Sequence, residues 1–274
     1  MDSYTVESET EKCPDCGKPI VYEYTVHMDQ EYTASLECPC VTERRQKERD
    51  EQIRRGREVV REMIRQEAGL SKRAVSQRFR NYRPDEGQKQ AFEAVRQFAK
   101  GYIEQRNDGT GLLLIGGVGS GKTHLAAALA NAIVDYVPIS DYDAEIPGFS
   151  RLPRSGVYFT GAVPLLERIR ASYSNEEDER EILEQCKEAE LLILDDLGAE
   201  KPSEWTRERL FEIIDARYNE CLPTVITTNA DIRELRQKLG DRVCDRIRSM
   251  CKTYTITSKS HRKTADNTQP EVTA

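Results

Sequence analysis

Residues 111–123 read GLLLIGGVGSGKT, and an alanine-rich stretch follows them. The apolar run from Leu112 to Ile115 predicts a buried strand, and the alanines predict a helix. Between the two, residues 116–123 have the spacing G-x-x-x-x-G-K-T of a phosphate-binding loop, or P-loop. Its glycines let the backbone turn tightly and direct N–H groups at phosphate oxygens. The stretch therefore predicts an α/β protein that binds a nucleoside triphosphate.

The P-loop supplies the candidate contacts to that nucleotide. Lys122 is expected to neutralise the β- and γ-phosphates, and the Thr123 hydroxyl is expected to ligate Mg²⁺. The helix that opens at Lys122 adds the positive end of its dipole at the same place. The residues expected to line the nucleotide are Gly116, Gly117, Val118, Gly119, Ser120, Gly121, Lys122, Thr123 and His124.

Two later apolar runs end in polar residues. The run LLIL precedes Asp195 and Asp196, and PTVITT precedes Asn229. Carboxyl ends of parallel strands line one crevice, so Asp195 is placed to hold Mg²⁺ and Asp196 to orient and deprotonate the attacking water. Asn229 could hydrogen-bond the γ-phosphate or its water, although asparagine also ends strands as a turn former.

Length and composition set the class of protein. The chain has 274 residues, of which 32% are charged and 38% hydrophobic. This length suffices for one well-packed domain and a smaller module. No apolar run approaches the roughly 20 residues that span a bilayer, and the acidic N-terminus lacks the apolar core of a signal peptide. We expect a cytoplasmic protein with reduced cysteines and no membrane partner.

Four cysteines near the N-terminus form two close pairs. Cys13-Pro-Asp-Cys16-Gly predicts a zinc-knuckle turn, and Cys38-Pro-Cys40 supplies the second pair. Four thiolates complete the coordination of a structural Zn²⁺, which would supply the folding energy of a segment with few apolar residues. The second spacing is tighter than C-x-x-C, so His27 stays open as a substitute for one of the last two cysteines. A redox pair and unliganded cysteines are the other interpretations.

The remaining cysteines lie at no ligand spacing and are predicted to be buried small hydrophobic residues. They are Cys186, Cys221, Cys244 and Cys251.

The net charge of −7 conceals an asymmetry, because residues 1–42 sum to −7 and residues 43–83 to +7. A mixed-charge helix with solvated faces explains the basic run, and contact with nucleic acid or an acidic partner is the alternative. Apolar residues at helical spacing in the same run predict a narrow stripe that suits a partner-binding arm. The arginines concerned are Arg44, Arg45, Arg49, Arg54, Arg55, Arg57, Arg61 and Arg65, and the stripe is Ile53, Val59, Val60, Met63 and Ile64.

Five segments of the chain together resemble the AAA+ helicase loaders of the DnaC/DnaI type, which have IstB-type transposition helper ATPases as close relatives. The segments are GGVGSGKTHLAAALAN, LLILDDLGAE, VITTN, LGDRVCDRIRSM and SHR. The resemblance covers about residues 76–263 and implies an AAA+ P-loop NTPase with a central parallel sheet. It divides the chain into a zinc-binding module (1–42), a basic helical linker (43–75), an ATPase domain (76–263) and a disordered tail (264–274).

The resemblance also assigns roles to single residues. Asn229 matches sensor 1, Arg246 matches the arginine finger that reaches a neighbour's γ-phosphate, and Arg262 matches sensor 2. Fixed guanidinium groups stabilise the charge that phosphoryl transfer spreads over oxygens. The alternatives are a surface arginine on a helix for Arg246 and an arginine in a tail-like segment for Arg262.

The region matching residues 165–182 contributes to contact with single-stranded DNA in this family. Arg168, Arg170 and Tyr173 could supply phosphate contacts and a stacking ring, and core packing with solvated charge explains the same residues. Two features depart from the family. The link from Asp135 to Ser155 is unusually long, with no assigned chemistry, and Asp196 stands where most AAA+ proteins have glutamate, which suggests slow hydrolysis.

The leading hypothesis is an ATPase that loads a hexameric replicative DNA helicase onto single-stranded DNA and assembles with copies of itself. It would require ATP, Mg²⁺ and Zn²⁺. The alternative is an IstB-like transposition helper that binds DNA and recruits a transposase, although the cysteine module argues against it. A third hypothesis is an adaptor that binds nucleotide without turnover, against which the intact Lys122, Asp195, Asp196 and Arg246 count.

Overall fold

The computed structural model describes residues 11–20, 22–27, 30–35, 38–104, 108–140, 156–174 and 178–258. These residues form two compact units. The first contains the described residues up to Val60, together with Ile139 and Ser140, and the second contains residues 61–138 and the described residues from Gly156 onward. The expected tail 264–274 and most of the 135–155 link lie outside the described residues. The expected boundaries at residues 42, 75 and 263 stay predictions.

The first unit contains two short antiparallel pairs and the start of a long helix. Strand β1 (Glu11–Lys12) pairs with β2 (Pro19–Ile20), and β3 (Tyr22–His27) pairs with β4 (Gln30–Ser35). Helix α1 (Pro39–Glu67) begins in this unit, and its residues from Arg61 onward belong to the second unit. Most of the basic run therefore lies on α1.

The second unit alternates strands and helices after a short lead-in. In chain order its elements are α2 (Lys72–Ser76), a 3₁₀ turn (Phe79–Asn81), α3 (Lys89–Ile103), β5 (Gly111–Gly116), α4 (Lys122–Tyr136), β6 (Val157–Gly161), α5 (Ala162–Ser172), α6 (Glu179–Glu188), β7 (Leu191–Asp195), α7 (Glu204–Asn219), β8 (Thr224–Thr228), α8 (Ile232–Leu239), α9 (Asp241–Met250) and β9 (Cys251–Ile256).

Five of these strands form one sheet in the order β6-β7-β8-β5-β9, and every neighbouring pair is parallel. The P-loop strand β5 lies between β8 and β9, with Leu112 opposite Val225 and Lys252. Strands β5, β7 and β8 are buried because a parallel sheet is covered on both faces by its crossover helices. The predicted α/β class with a central parallel sheet is confirmed, and the strand ends that carry the predicted site lie at one edge.

The end of α1 corrects one prediction. Arg61 donates to the backbone carbonyls of Val134 and Asp135, and Arg65, 4% exposed, pairs with the Asp135 carboxylate at 2.8 Å. Ile64 is fully buried. The interpretation that Arg61 and Arg65 contact nucleic acid or an acidic partner is therefore wrong, because their guanidinium groups bind the end of α4. This part of the apolar stripe belongs to the core.

The isolated cysteines follow the prediction with one exception. Cys186, Cys244 and Cys251 are buried, whereas Cys221 is exposed. Cys221 lies in the turn between α7 and β8 at a φ of 51°, where the backbone reverses and its side chain points away from the core. Among the described helices, none has both the length and the apolar character needed to cross a membrane.

Arg217 on α7 is a fully buried cation in the second unit. It donates to the carbonyls of Cys186 and Ala189 at 2.9 and 2.7 Å and to the Pro223 carbonyl at 2.7 Å. A helix leaves its last carbonyls without partners and has a partial negative charge there. Arg217 supplies those partners at the end of α6 and joins them to the start of β8.

Replacement of Arg217 by methionine should therefore destabilise the second unit. The apolar chain retains most of the volume but leaves several buried carbonyls without donors, which should cost at least about 3 kcal/mol in the free energy of unfolding. Urea unfolding measures the change. Arg180→Met, which removes an exposed i,i+4 pair with Glu184, is the matched control and should cost less than about 0.5 kcal/mol. Equal midpoints for the two variants would contradict this role.

Candidate nucleotide-binding and metal sites

The P-loop connects β5 to α4 at the carboxyl edge of the sheet. Gly121 precedes α4 with a φ of +95°, in the left-handed region that glycine adopts without strain. A Cβ atom placed there would lie 2.5 Å from the Tyr82 hydroxyl oxygen. The second P-loop glycine is thus required both by its backbone conformation and by the close packing of Tyr82.

Lys122 is held at the centre of the loop and is only 5% exposed. Its Nζ donates to the carbonyls of Gly116 and Gly117 at 2.8 and 2.9 Å and to Asn229 Oδ1 at 2.7 Å. All these acceptors are neutral. Phosphate oxygens, which are charged, would form stronger hydrogen bonds with the same ammonium group.

Asp195 ends β7 beside the first turn of α4. Burial raises the pKa of its carboxyl group, and hydrogen bonds from the hydroxyls of Thr227 and Thr123 act in the opposite direction. Thr227 Oγ1 donates to Asp195 Oδ1 at 2.6 Å. The two expected Mg²⁺ ligands, Thr123 and Asp195, therefore lie together, and a bound cation would favour the ionised carboxylate.

Asp196 follows directly and adopts a φ of 58°, a left-handed conformation that aspartate tolerates better than most residues. Its N–H donates to Thr227 Oγ1 at 2.9 Å, which fixes this turn to β8. Asn229 Nδ2 donates to Asp196 Oδ1 at 2.5 Å. The Asn229 amide thus bridges the ammonium group of Lys122 and the carboxylate of Asp196.

These groups open into a cavity of about 810 Å³. It contains expected residues from the P-loop and from the ends of β7 and β8, together with Arg73 on α2 and Gln77 directly after it, which the sequence gave no reason to select. The cavity is lined by Arg73, Gln77, Val118, Gly119, Gly121, Lys122, Thr123, His124, Asp196 and Asn229. Arg73 and Gln77 precede the P-loop by about forty residues, so no local motif connects them with it.

Side chains from the segment before α3 form hydrogen bonds with the P-loop and α4. Gln88, which is buried, donates to the Ser120 carbonyl at 2.9 Å. His124 Nε2 lies 3.0 Å from Asn81 Oδ1, and burial lowers the pKa of the imidazole. The buried Asn131 donates to the carbonyls that end α2, at 2.8 and 2.9 Å. These bonds fix the position of the loop that would bind phosphate.

The predicted finger Arg246 lies on α9 and is not part of that cavity. Its Nε donates to Asp215 Oδ1 at 2.7 Å, and its guanidinium lies 4.5 Å from the ring centroid of Tyr218. The sequence-predicted Arg262 lies outside the described residues. Within one chain, the structure brings Lys122, Asp195, Asp196 and Asn229 together and keeps Arg246 apart from them.

The candidate DNA contacts on α5 have partners of their own. Arg168 donates to the Tyr158 hydroxyl at 3.0 Å, and Arg170 lies 4.4 Å from the centroid of Trp205. The Trp205 indole donates to the Tyr173 hydroxyl at 3.1 Å, and Tyr173 is 57% exposed. An exposed aromatic and cationic cluster exists here, although the sequence did not select Trp205 as a member.

The four N-terminal cysteines converge in the first unit. The Sγ atoms of Cys13, Cys16, Cys38 and Cys40 all lie within 4.8 Å of one another. Individual separations are 3.5 Å for Cys13 and Cys40 and 3.4 Å for Cys16 and Cys38. Tetrahedral zinc with Zn–S bonds near 2.3 Å places its sulfurs about 3.8 Å apart, so the cluster fits a four-thiolate Zn²⁺ site. The side chain of His27 lies outside the described residues.

The backbone favours the thiolate at Cys13, whereas the neighbouring cysteine thiols raise the pKa of Cys40. Backbone N–H groups of Cys16 and Asp15 lower the pKa of Cys13 to about 7. Cys38 and Cys40 lie at the N-terminus of α1, where the helix dipole favours negative charge. Arg44 on α1 pairs with Asp15 in the knuckle turn at 3.0 Å. A zinc ion here would fix the start of α1 to the knuckle.

The chain is similar to known ATP-binding proteins. The model of the family described as IstB-like ATP binding protein matches residues 148–268. The crystal structure of the DnaC helicase loader shares 30% sequence identity and a TM-score of 0.54, over 68% of this chain and 99% of that one. The chain belongs to the IstB/DnaC-like family of ATP-binding proteins. The expected resemblance is confirmed, and the second unit is an AAA+ P-loop fold.

Two further members of the family agree. The crystal structure of DnaI is 26% identical with a TM-score of 0.52, over 69% of this chain and 95% of that one. The replicative helicase loader DnaC of Escherichia coli (strain K12) is 27% identical over 173 residues, which are 62% of each chain. The match thus spans less than two thirds of that curated relative.

Purified protein should contain about one equivalent of zinc, and the variant Cys13→Ser/Cys16→Ser should lose it, because two of four ligands are gone. Metal analysis by mass spectrometry measures this. Cys221→Ser, which changes an exposed cysteine remote in sequence from the cluster, is the matched control and should retain the metal. Zinc-free wild-type protein purified without chelators would contradict the assignment.

Proposed function

We propose that this protein is an ATP-dependent loader of a hexameric replicative DNA helicase. The observation that supports it most is the joint placement of Lys122, Asp195, Asp196 and Asn229 at one sheet edge, in a domain that matches nearly the full length of the DnaC helicase loader structure. That relative is a helicase loader, and we infer the same role for this chain.

ATP would bind with its phosphates along the P-loop and Lys122, and Thr123 and Asp195 would hold Mg²⁺. The metal would neutralise phosphate charge. Asp196 would accept a proton from the attacking water, and Asn229, which already contacts Asp196, would orient that water or the γ-phosphate. Arg246 would act on ATP bound to a second copy, so hydrolysis would depend on assembly. Arg262 is proposed to contact the same phosphate within its own chain.

The first unit would bind the helicase. It presents a compact four-cysteine knuckle and, on α1, a basic surface. Part of that surface is internally paired, since Arg54 and Arg55 both contact Glu51. Single-stranded DNA would contact the cluster of Arg170, Tyr173 and Trp205, where the exposed ring of Tyr173 could stack on a base.

The alternative is an IstB-type transposition helper, since the matching family is described as IstB-like ATP binding protein. The similarity of this chain to the DnaC and DnaI structures extends over 99% and 95% of those chains, which favours the loader function. The two functions differ in the protein partner, so a binding experiment separates them.

The full-length tagged chain, with ATP and Mg²⁺, should form a defined complex with the purified replicative helicase of its own host or mobile element, measured by size-exclusion chromatography with light scattering. Cys13→Ser/Cys16→Ser should weaken the complex at least about 10-fold, because the knuckle would unfold without its metal. Cys221→Ser serves as the control. Failure to bind the helicase, with capture of the cognate transposase instead, would transfer the function to transposition.

A further inference from the structure

The surroundings of Arg246 differ from those of an ordinary surface arginine. Asp215 and Tyr218 lie three residues apart on α7, so the carboxylate and the ring occupy one face of that helix. Both contact the guanidinium of Arg246 from α9, at 2.7 Å and 4.5 Å respectively. The side chain is therefore confined from two directions although it is 39% exposed.

The pattern of contacts leaves part of the guanidinium available. Asp215 binds Nε, and Tyr218 covers one flat face. Among the hydrogen bonds of the described residues, none uses the two terminal nitrogens of Arg246. Those terminal N–H groups are the ones that bind phosphate oxygens in a bidentate fashion.

Arg242, one turn earlier on α9, provides an internal comparison. It lies 4.3 Å from the centroid of Phe211, so it stacks on α7 much as Arg246 does. In the described part of the chain, Arg242 forms no ion pair. Stacking on an aromatic ring is therefore common to both arginines, and a carboxylate that fixes the Nε side is specific to Arg246.

We propose that Asp215 and Tyr218 are positioning residues that hold Arg246 with its terminal nitrogens directed toward ATP bound by a second copy of this chain. The inference rests on the proposed role of Arg246 in trans. A side chain with four rotatable bonds loses much conformational freedom when it becomes ordered. Ordering it in advance through Asp215 and Tyr218 lowers that cost at the moment when the two copies meet.

Mixing experiments with the full-length chain test two claims separately: that Arg246 acts in trans, and that Asp215 positions it. Arg246→Ala binds ATP but lacks the finger, and Lys122→Ala carries an intact finger but a defective P-loop. If the finger acts in trans, adding Lys122→Ala to Arg246→Ala should restore ATP turnover. No restoration would reject the trans finger itself, and with it the basis of the inference.

The positioning role of Asp215 is tested with Lys122→Ala/Asp215→Ala as the protein that donates the arginine finger. Turnover restored by this donor should be about 3- to 10-fold lower than with Lys122→Ala, because Arg246 would no longer be pre-ordered. Lys122→Ala/Asp215→Asn, which keeps an oxygen for Nε, should give an intermediate value. Lys122→Ala/Arg242→Ala is the matched control and should restore turnover fully.

Equal or greater turnover with the Asp215→Ala donor would overturn the proposal, and a greater value would identify Asp215 as a restraint on the finger. Thermal melting of each donor checks that it folds. Should the alanine variant not fold, the comparison of Asp215→Asn with Arg242→Ala decides the question, since equal restoration by those two donors would also overturn it.

Discussion

A buried ammonium group organises the candidate site. The acceptors of Lys122 include two carbonyls and a hydroxyl of the P-loop and the amide oxygen of Asn229, which follows β8. Removing a lysine from water is unfavourable unless each donor finds an acceptor. The order of the sheet satisfies this requirement, because β8 is the direct neighbour of β5. Charged phosphate oxygens would form stronger hydrogen bonds with this ammonium group than the neutral acceptors do, and Asn229 contacts both Lys122 and Asp196.

The remaining polar contacts in this unit fix that arrangement from outside. Gln88 and Asn131 are buried amides that hold the lead-in segment against the P-loop and α4. Thr227 serves two neighbours, because its hydroxyl accepts from the Asp196 N–H and donates to Asp195. Each bond is modest by itself. Together they hold two carboxylates and one cation at a common edge, as proposed for the hydrolysis of ATP.

Much of this could be predicted from the sequence because the relevant signals are local. The P-loop, the apolar run before Asp195 and the spacing of the cysteines each lie within a few residues. Residues that act through partners distant in the chain gave no such signal. Thr227, Gln88 and Asp215 are common polar residues whose roles arise only when two elements pack together.

The failures have the same origin. Arg61 and Arg65 belong to a basic run for which solvated faces or contact with a partner were the two interpretations, but the continuation of α1 places them against the end of α4. Cys221 was expected to be buried on composition alone, and a left-handed turn exposes it. Charge and hydropathy indicate what a residue prefers, whereas its place in the packing decides which neighbour it contacts.

The central claim is that the P-loop cavity binds a nucleoside triphosphate through Lys122. Isothermal titration of the full-length protein with a slowly hydrolysed ATP analogue and Mg²⁺ tests it most directly, with Lys122→Ala compared under identical conditions. Loss of charge-assisted bonds to phosphate should weaken binding roughly 100-fold. Equal affinity of the wild type and Lys122→Ala, with both folded, would contradict the account.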